Sequence, residues 1–224
     1  MTMNPNPQTV ARPRESVLAT NSILRNTYLL LSMTLLFSAA TAGVAMAIQV
    51  PPLNIWLVLV GYFGLLFLTN FLRNSAWGVV SVFALTGFMG FTLGPIINLY
   101  LTSVANGAQL VAYALGATGV TFLGLSAYAV STRRDFSFLR GFLFAGILIA
   151  FVAALVAIFF SMPGLALAVS TMFVVLMCGL ILWQTGEIVN GGETNYIMAT
   201  VTLYVSIYNL FTSLLHLFGA FGDD

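Results

Sequence analysis

The amino-acid sequence predicts an all-α membrane protein with seven transmembrane helices. Its composition is the first indication: of 224 residues, 60% are hydrophobic and only 6% are charged. Soluble domains carry about 25% charged residues, because their surfaces face water. A chain so poor in charge needs lipid around most of its surface. In lipid an unpaired backbone group costs several kcal/mol, so the spanning segments must be helices.

Seven apolar stretches are the second indication, since a helix crosses the hydrocarbon core with about 20 residues. They are residues 27–48, 53–72, 76–101, 108–131, 139–160, 164–186 and 196–219. We therefore expect a transmembrane domain over residues 27–219, with a flexible, proline-containing tail at 1–26 and a short tail at 220–224. The first stretch ends in Ala45-Met46-Ala47, which resembles a signal-peptide cleavage site. Its apolar run of about 20 residues is longer than a signal peptide needs, so we interpret it as a retained helix.

Arginine placement predicts the orientation. Every basic residue is an arginine, and all fall in segments that share one side of the membrane: Arg12, Arg14, Arg25, Arg73, Arg133, Arg134 and Arg140. The alternate segments, 49–52, 102–107 and 161–163, contain none. Positive charge favours the cytoplasmic side. This predicts a cytoplasmic N-terminus and, after seven spans, a periplasmic or extracellular C-terminus. The net charge of +1 gives no reason to expect a nucleic-acid partner.

The last span carries a polar stripe with spacings of 4, 3, 4 and 3 residues, formed by Thr202, Ser206, Asn209, Ser213 and His216. Tyr204, Tyr208 and Thr212 widen it, and a weaker stripe follows the first span at Thr27, Thr34, Ser38 and Thr41. Polar groups facing lipid would be unsatisfied, so the stripe must meet other helices or a wet cavity. Two interpretations stay open: interhelical hydrogen bonding, or a solvent or ion path along the seventh helix.

Candidate catalytic and metal-binding groups are few. No Asp, Glu, Lys or Arg lies well inside a span, whereas proton-coupled transporters need ionisable groups there and Ca²⁺ prefers anionic oxygens. His216 is the only histidine, and no GxSxG, HExxH or Walker sequence occurs. Cys178 is the single cysteine and is interpreted as a packing residue. We expect no enzyme activity, no metal and no cofactor.

The third span contains Gly90-Phe91-Thr92-Leu93-Gly94-Pro95. Gly90 and Gly94 form a GxxxG pair, which permits close approach of another helix. Pro95 has no N–H, so the carbonyl of Phe91 loses its partner and the helix is expected to kink or break.

Several motifs resemble one family when they are taken together. The run Gly87-Phe88-Met89-Gly90-Phe91-Thr92-Leu93-Gly94-Pro95-Ile96-Ile97 resembles the signature of the Bax inhibitor family, also called the transmembrane Bax inhibitor motif family. Supporting matches are Leu24-Arg25-Asn26-Thr27-Tyr28, Ser126-Ala127-Tyr128, Gly191-Gly192-Glu193-Thr194-Asn195-Tyr196 and Leu203-Tyr204-Val205-Ser206-Ile207-Tyr208-Asn209. The combination is similar to the bacterial, YccA-like branch and covers the chain from about residue 20 to its end.

The resemblance implies a bacterial inner-membrane protein in which six helices surround a central seventh. It also implies a partner, because members of this branch bind and restrain the membrane-anchored AAA+ protease FtsH. Other members conduct Ca²⁺ in a pH-dependent leak that is controlled by two carboxylates. Those positions fall on Gln184 and Ser206 here, and both are neutral. The resemblance therefore favours an FtsH modulator in contact with membrane lipid. A weak ion channel or leak is the alternative, and a purely structural membrane partner is the third.

Overall fold

The computed structural model describes residues 14–222, with side-chain surroundings from residue 22 onward. All regular secondary structure in that part is helical: α1 (Arg14–Ala47), α2 (Ile55–Leu72), α3 (Trp77–Ser103), α4 (Gly107–Thr132), α5 (Leu139–Phe159), α6 (Pro163–Asn190) and α7 (Tyr196–Phe221). Each of these seven is long and apolar enough to cross a membrane. The prediction of an all-α protein with seven spanning helices is confirmed.

Helix α1 begins well before residue 27, where the first span was expected to start. Residues 14–26, which we expected in the flexible tail, continue the first helix, while its apolar span begins at Ser22. The segment contains strong helix formers such as Glu15, Leu18 and Leu24, and no proline interrupts it. Residues 1–13 and 223–224 of the two expected tails lie outside the described residues.

The sequence predicts a kink or a break at Pro95. Helix α3 continues through Pro95, so the break does not occur. A proline inside a helix removes one backbone hydrogen bond. The backbone on both sides retains its bonds, and Gly94 and Pro95 are both buried in the bundle. Packing therefore holds the helix together where the local sequence weakens it.

The bundle has two chemically different ends. At one end, the side-chain amide of Asn195 donates to the carbonyl of Arg73 over 3.0 Å, and that of Asn190 donates to the carbonyl of Arg134 over 3.1 Å. These bonds join the α2–α3, α4–α5 and α6–α7 turns. We call this the charged end, because it carries Arg25, Arg73, Arg133, Arg134, Asp135, Arg140, Glu187 and Glu193. At the opposite end, which carries no charged side chain among residues 22–222, Asn106 joins the α3–α4 turn to the carbonyl of Gly222.

Helix α7 is the central helix. Every residue from Tyr196 to Gly219 is buried or partly buried, and α7 packs directly against α1, α3, α4 and α6. Helices α2 and α5 lie further out, because α2 packs on α3 and α5 packs on α6. They complete the ring around α7 across a cavity that is described below.

Candidate functional site

The α3 signature forms a glycine face against α1, made of Gly87, Gly90 and Gly94. A Cβ atom added at Gly94 would lie 2.7 Å from the carbonyl oxygen of Ala42. One added at Gly90 would overlap the carbonyl oxygen of Ser38. Because the obstructing atoms belong to the backbone of α1, the two helices can touch this closely only where α3 has no side chain. The GxxxG pair thus lies where two helices meet, as a GxxxG pair permits.

The polar stripe of α7 is largely satisfied within its own helix. Thr202 donates to the carbonyl of Met198 over 3.0 Å, and Ser206 donates to the carbonyl of Thr202 over 2.8 Å. The amide of Asn209 donates to the carbonyl of Val205 over 2.8 Å. Such bonds to the preceding turn are available to any hydroxyl on a helix. Interhelical hydrogen bonding therefore does not account for these three side chains.

Other side chains of α7 make the bonds between helices. Thr200 donates to the carbonyl of Thr27 on α1 over 3.3 Å, and the Tyr208 hydroxyl lies 3.5 Å from that of Thr92 on α3. The Tyr204 hydroxyl, with 1% of the residue exposed, donates to the carbonyl of Thr86 on α3 over 3.2 Å. Since its single proton is used there, the hydroxyl of Ser38 on α1 must be the donor in their 2.5 Å contact. At the far end of the stripe, His216 Nδ1 lies 2.7 Å from the hydroxyl of Ser170 on α6. Together these bonds tie α7 to α1, α3 and α6.

Ser170 is a residue that the sequence analysis missed, because nothing in the local pattern pairs it with a histidine 46 residues away. A serine nucleophile needs a base that is oriented by a third group, and donors placed for an oxyanion. Among the described residues, His216 makes no second side-chain hydrogen bond, and neither residue lines the two cavities described below. The contact is best explained as a polar link between α6 and α7.

The positions of the family's sensor pair are both buried. Gln184 on α6 is 2% exposed and Ser206 on α7 is 0% exposed. No hydrogen bond joins the two, because the Ser206 hydroxyl donates to the carbonyl of Thr202 and does not accept from the Gln184 amide. The side-chain nitrogen of Gln184 has no partner among the described residues. Nor do these residues bring three His, Cys, Asp or Glu side chains together as a metal site.

The loop motif shapes the connection between α6 and α7. Gly191 ends α6 in the left-handed region, with a φ of 78° that favours glycine. Asn195 begins α7, where its side-chain oxygen accepts from the amides of Ile197 and Met198. The carboxylate of Glu193 accepts from the amide of Asn195 over 2.7 Å. A Cβ added at Gly192 would overlap the Glu187 carboxylate, and Tyr196 opens the helix.

The charged end also holds an ionised carboxylate in the α4–α5 turn. Asp135 accepts a hydrogen bond of 2.8 Å from the amide of Ser137, and this bond lowers the pKa of the exposed carboxyl. The side chain follows Arg133 and Arg134 directly in the chain. This end of the molecule therefore presents mixed charge at neutral pH, with arginine in excess.

Two cavities lie on opposite sides of the contact between α3 and α7. The α2–α5 cavity, of about 490 Å³, is enclosed by α2, α3, α5, α6 and α7. The α1–α4 cavity, of about 410 Å³, is enclosed by α1, α3, α4 and α7. Tyr208 of α7 lines both, whereas Asn209 is the only stripe residue that lines either. The stripe as a whole therefore does not follow either cavity.

Comparison with known proteins relates the whole chain to one family. The family model described as inhibitor of apoptosis-promoting Bax1 matches residues 20–223. An uncharacterized protein of Pseudomonas aeruginosa is 53% identical over 96% of this chain and 95% of its own length. The Escherichia coli protein named modulator of FtsH protease YccA is 48% identical over 94% of this chain and 95% of its own. An uncharacterized membrane protein of Vibrio cholerae is 46% identical over 94% of both chains.

Proposed function

This chain belongs to the Bax inhibitor family, and from that premise we propose that it binds and inhibits the membrane AAA+ protease FtsH. The observation that carries the proposal is the similarity to YccA, which is 48% identical over 94% of this chain and is named a modulator of that protease. The similarity includes no long unmatched region in either protein, since 95% of YccA is covered. A shared fold and shared surfaces are expected at this level of identity.

The proposal includes an orientation. We place the charged end in the cytoplasm, because arginine favours that side of the inner membrane. The tail that precedes α1 then lies on the side where an AAA+ protease grips its substrates. Because α1 is helical from Arg14, the segment offered for gripping is residues 1–13 rather than the whole of 1–26.

We place inhibition in the helices, which occupy FtsH, and explain the persistence of the inhibitor by resistance to extraction when FtsH grips that tail. Pulling from the N-terminus acts first on α1, which packs on the glycine face of α3 and on α7. The Ser38–Tyr204–Thr86 bonds join the same three helices in the middle of the bundle. Removing α1 would expose these groups to hydrocarbon, where unpaired polar groups are costly. The protease would therefore stall on an intact bundle and remain occupied.

The test compares the full chain with a variant that lacks residues 2–13, in cells with and without FtsH. We expect the shortened protein to have a longer half-life only where FtsH is present, because the segment to be gripped is missing. A variant in which residues 2–13 are scrambled, with the same length and composition, should be degraded like the full chain.

The second measurement is the half-life of another FtsH substrate. Both forms should lengthen it if inhibition resides in the helices, and the more persistent shortened form should do so for longer. Co-purification of the full chain with FtsH reports binding directly. If neither form changes the half-life of the second substrate, modulation of this protease is not the function.

A further inference from the structure

The α2–α5 cavity combines an apolar, aromatic wall with a small number of polar groups. Four phenylalanines contribute to the wall, Phe63, Phe88, Phe151 and Phe173. Its polar side chains are Tyr62, Thr92, Tyr208 and Asn209, and no charged residue lines it. A ligand carrying a charge would find no opposite charge here and would lose its solvation. This composition is typical of sites for neutral small molecules.

Two tyrosine hydroxyls in the cavity lack a good hydrogen-bond acceptor among the described residues. Tyr62 makes no hydrogen bond to another described residue. Thr92 donates its proton to the carbonyl of Met89 over 2.8 Å, so Tyr208 must be the donor in its contact with Thr92. That contact spans 3.5 Å, whereas O–H···O bonds are usually about 2.5–3.0 Å long. At this depth there is no bulk water to accept the two protons.

The cavity is separated from the bilayer only by side chains. Helices α2 and α5 each pack on a different neighbour, and ring contacts between Phe63 and Phe151 (5.7 Å) and between Trp56 and Phe159 (5.8 Å) bridge the seam between them without sealing the cavity. The seam faces lipid, since Phe63 is 36% exposed and Leu148, at the cavity wall, is 55% exposed. The cavity is partly open between these side chains, so a lipid-soluble molecule has a short route inward.

We propose that the α2–α5 cavity binds a neutral, lipid-soluble ring compound whose carbonyl oxygen accepts hydrogen bonds from the hydroxyls of Tyr62 and Tyr208. The aromatic wall packs against the ring, the phenols supply the two donors, and the seam between α2 and α5 is the entrance. Such a ligand would contact α7 next to Asn209, in the interior of the bundle. Binding here is independent of the proposed action on FtsH.

The probe is a 4-alkylbenzophenone, which has this chemistry and forms covalent adducts with neighbouring C–H bonds on illumination. The full-length protein in lipid nanodiscs is titrated with the probe, illuminated and analysed by peptide mass spectrometry. Saturable adducts are expected on cavity residues such as Met89 and Met177. Replacing Val58, which lines the cavity, with Phe should abolish them, whereas Val60→Phe on the lipid-facing side of α2 should not.

The donors are tested one at a time. Tyr62→Phe and Tyr208→Phe should each weaken saturable labelling roughly two- to tenfold, the effect of losing one hydrogen bond. Tyr113→Phe, on an exposed tyrosine of α4, should leave labelling unchanged. Tyr62 lies on the outer helix α2, so its variant keeps the test valid if Tyr208→Phe does not fold. Circular dichroism reports the helicity of every variant.

Matched competitors test the ligand class. Fluorenone should displace the probe at lower concentrations than fluorene, which has the same shape without the carbonyl. Equal displacement, or labelling that is insensitive to both Tyr→Phe changes, would overturn the carbonyl requirement. If dioctanoylglycerol displaces the probe as effectively as fluorenone does, the site binds ester lipids. That result would overturn the proposal that its ligand is a ring compound. Adducts scattered over lipid-facing residues and unaffected by Val58→Phe would overturn the site itself.

Discussion

The contact between α1 and α3 can be tested by adding one methyl group at Gly90. In a Gly90→Ala protein the new Cβ would meet the carbonyl oxygen of Ser38 and the hydroxyl of Thr41, both on α1. A backbone carbonyl cannot rotate away, so the helices must separate locally. Gly116→Ala is the matched control, because a Cβ there meets nothing within 4 Å on the lipid side of α4.

The magnitude follows from three contributions. Alanine is favoured over glycine inside a helix by roughly 1 kcal/mol, and this gain applies to both variants. Overpacking costs about 1–3 kcal/mol and applies only at Gly90. Separating α1 from α3 also strains the hydrogen bond between Ser38 and Tyr204, which is worth about 1 kcal/mol. We therefore expect Gly90→Ala to be less stable than Gly116→Ala by about 2–4 kcal/mol.

The free energy of unfolding is measured for both variants by titrating the detergent-solubilised protein with SDS and following helicity by circular dichroism. Thr41→Ala in the Gly90→Ala background should recover part of the loss, because it removes one of the obstructing atoms and leaves the carbonyl in place. If Gly90→Ala and Gly116→Ala are equally stable, the glycine face does not hold α1 against α3. The account of resistance to extraction would fail with it.

Three further predictions concern topology, the central helix and the leak. In a variant that lacks Cys178, Pro51→Cys should react with a membrane-impermeant thiol reagent from outside intact cells, and Ser75→Cys should not. The opposite labelling pattern would reverse the orientation. Ser206→Leu should lower the free energy of unfolding more than Val205→Leu, because Ser206 is fully buried whereas Val205 borders the α2–α5 cavity. Equal effects in the SDS titration would contradict the tight packing of α7. Any cation flux through the unmodified protein in liposomes should vary little between about pH 6 and 8. Gln184→Asp with Ser206→Asp should make it pH-dependent, because both positions are buried and burial raises the pKa of a carboxyl group. A strongly pH-gated leak in the unmodified protein would mean that its sensor lies elsewhere.

Hydropathy alone predicts the architecture at the level of membrane spans. Lipid imposes apolar segments of a fixed length and forces them to be helical, so seven such segments predict seven helices without any knowledge of their neighbours. The glycine pair in the third span was recognisable for a similar reason. A small residue every fourth position creates a flat helix surface whatever helix packs there, and the structure shows that helix to be α1.

The limits of α1 and the continuity of α3 were not determined in this way. Hydropathy marks where a helix is apolar and not where it begins, so the polar extension from Arg14 was assigned to the tail. Pro95 removes one backbone hydrogen bond from α3, but the packing of α3 against the other helices outweighs that loss.

Which polar side chains act between helices depends on how the helices pack in three dimensions. The spacing of Thr202, Ser206 and Asn209 identified a helix face, yet each donates to a carbonyl of its own helix. Interhelical bonds are made instead by side chains such as Tyr204, whose partner Ser38 is 166 residues away, and His216, whose partner is Ser170. Periodicity fixes the direction in which a side chain points from its helix axis. It carries no information about which helix lies opposite, because that depends on how all seven pack together.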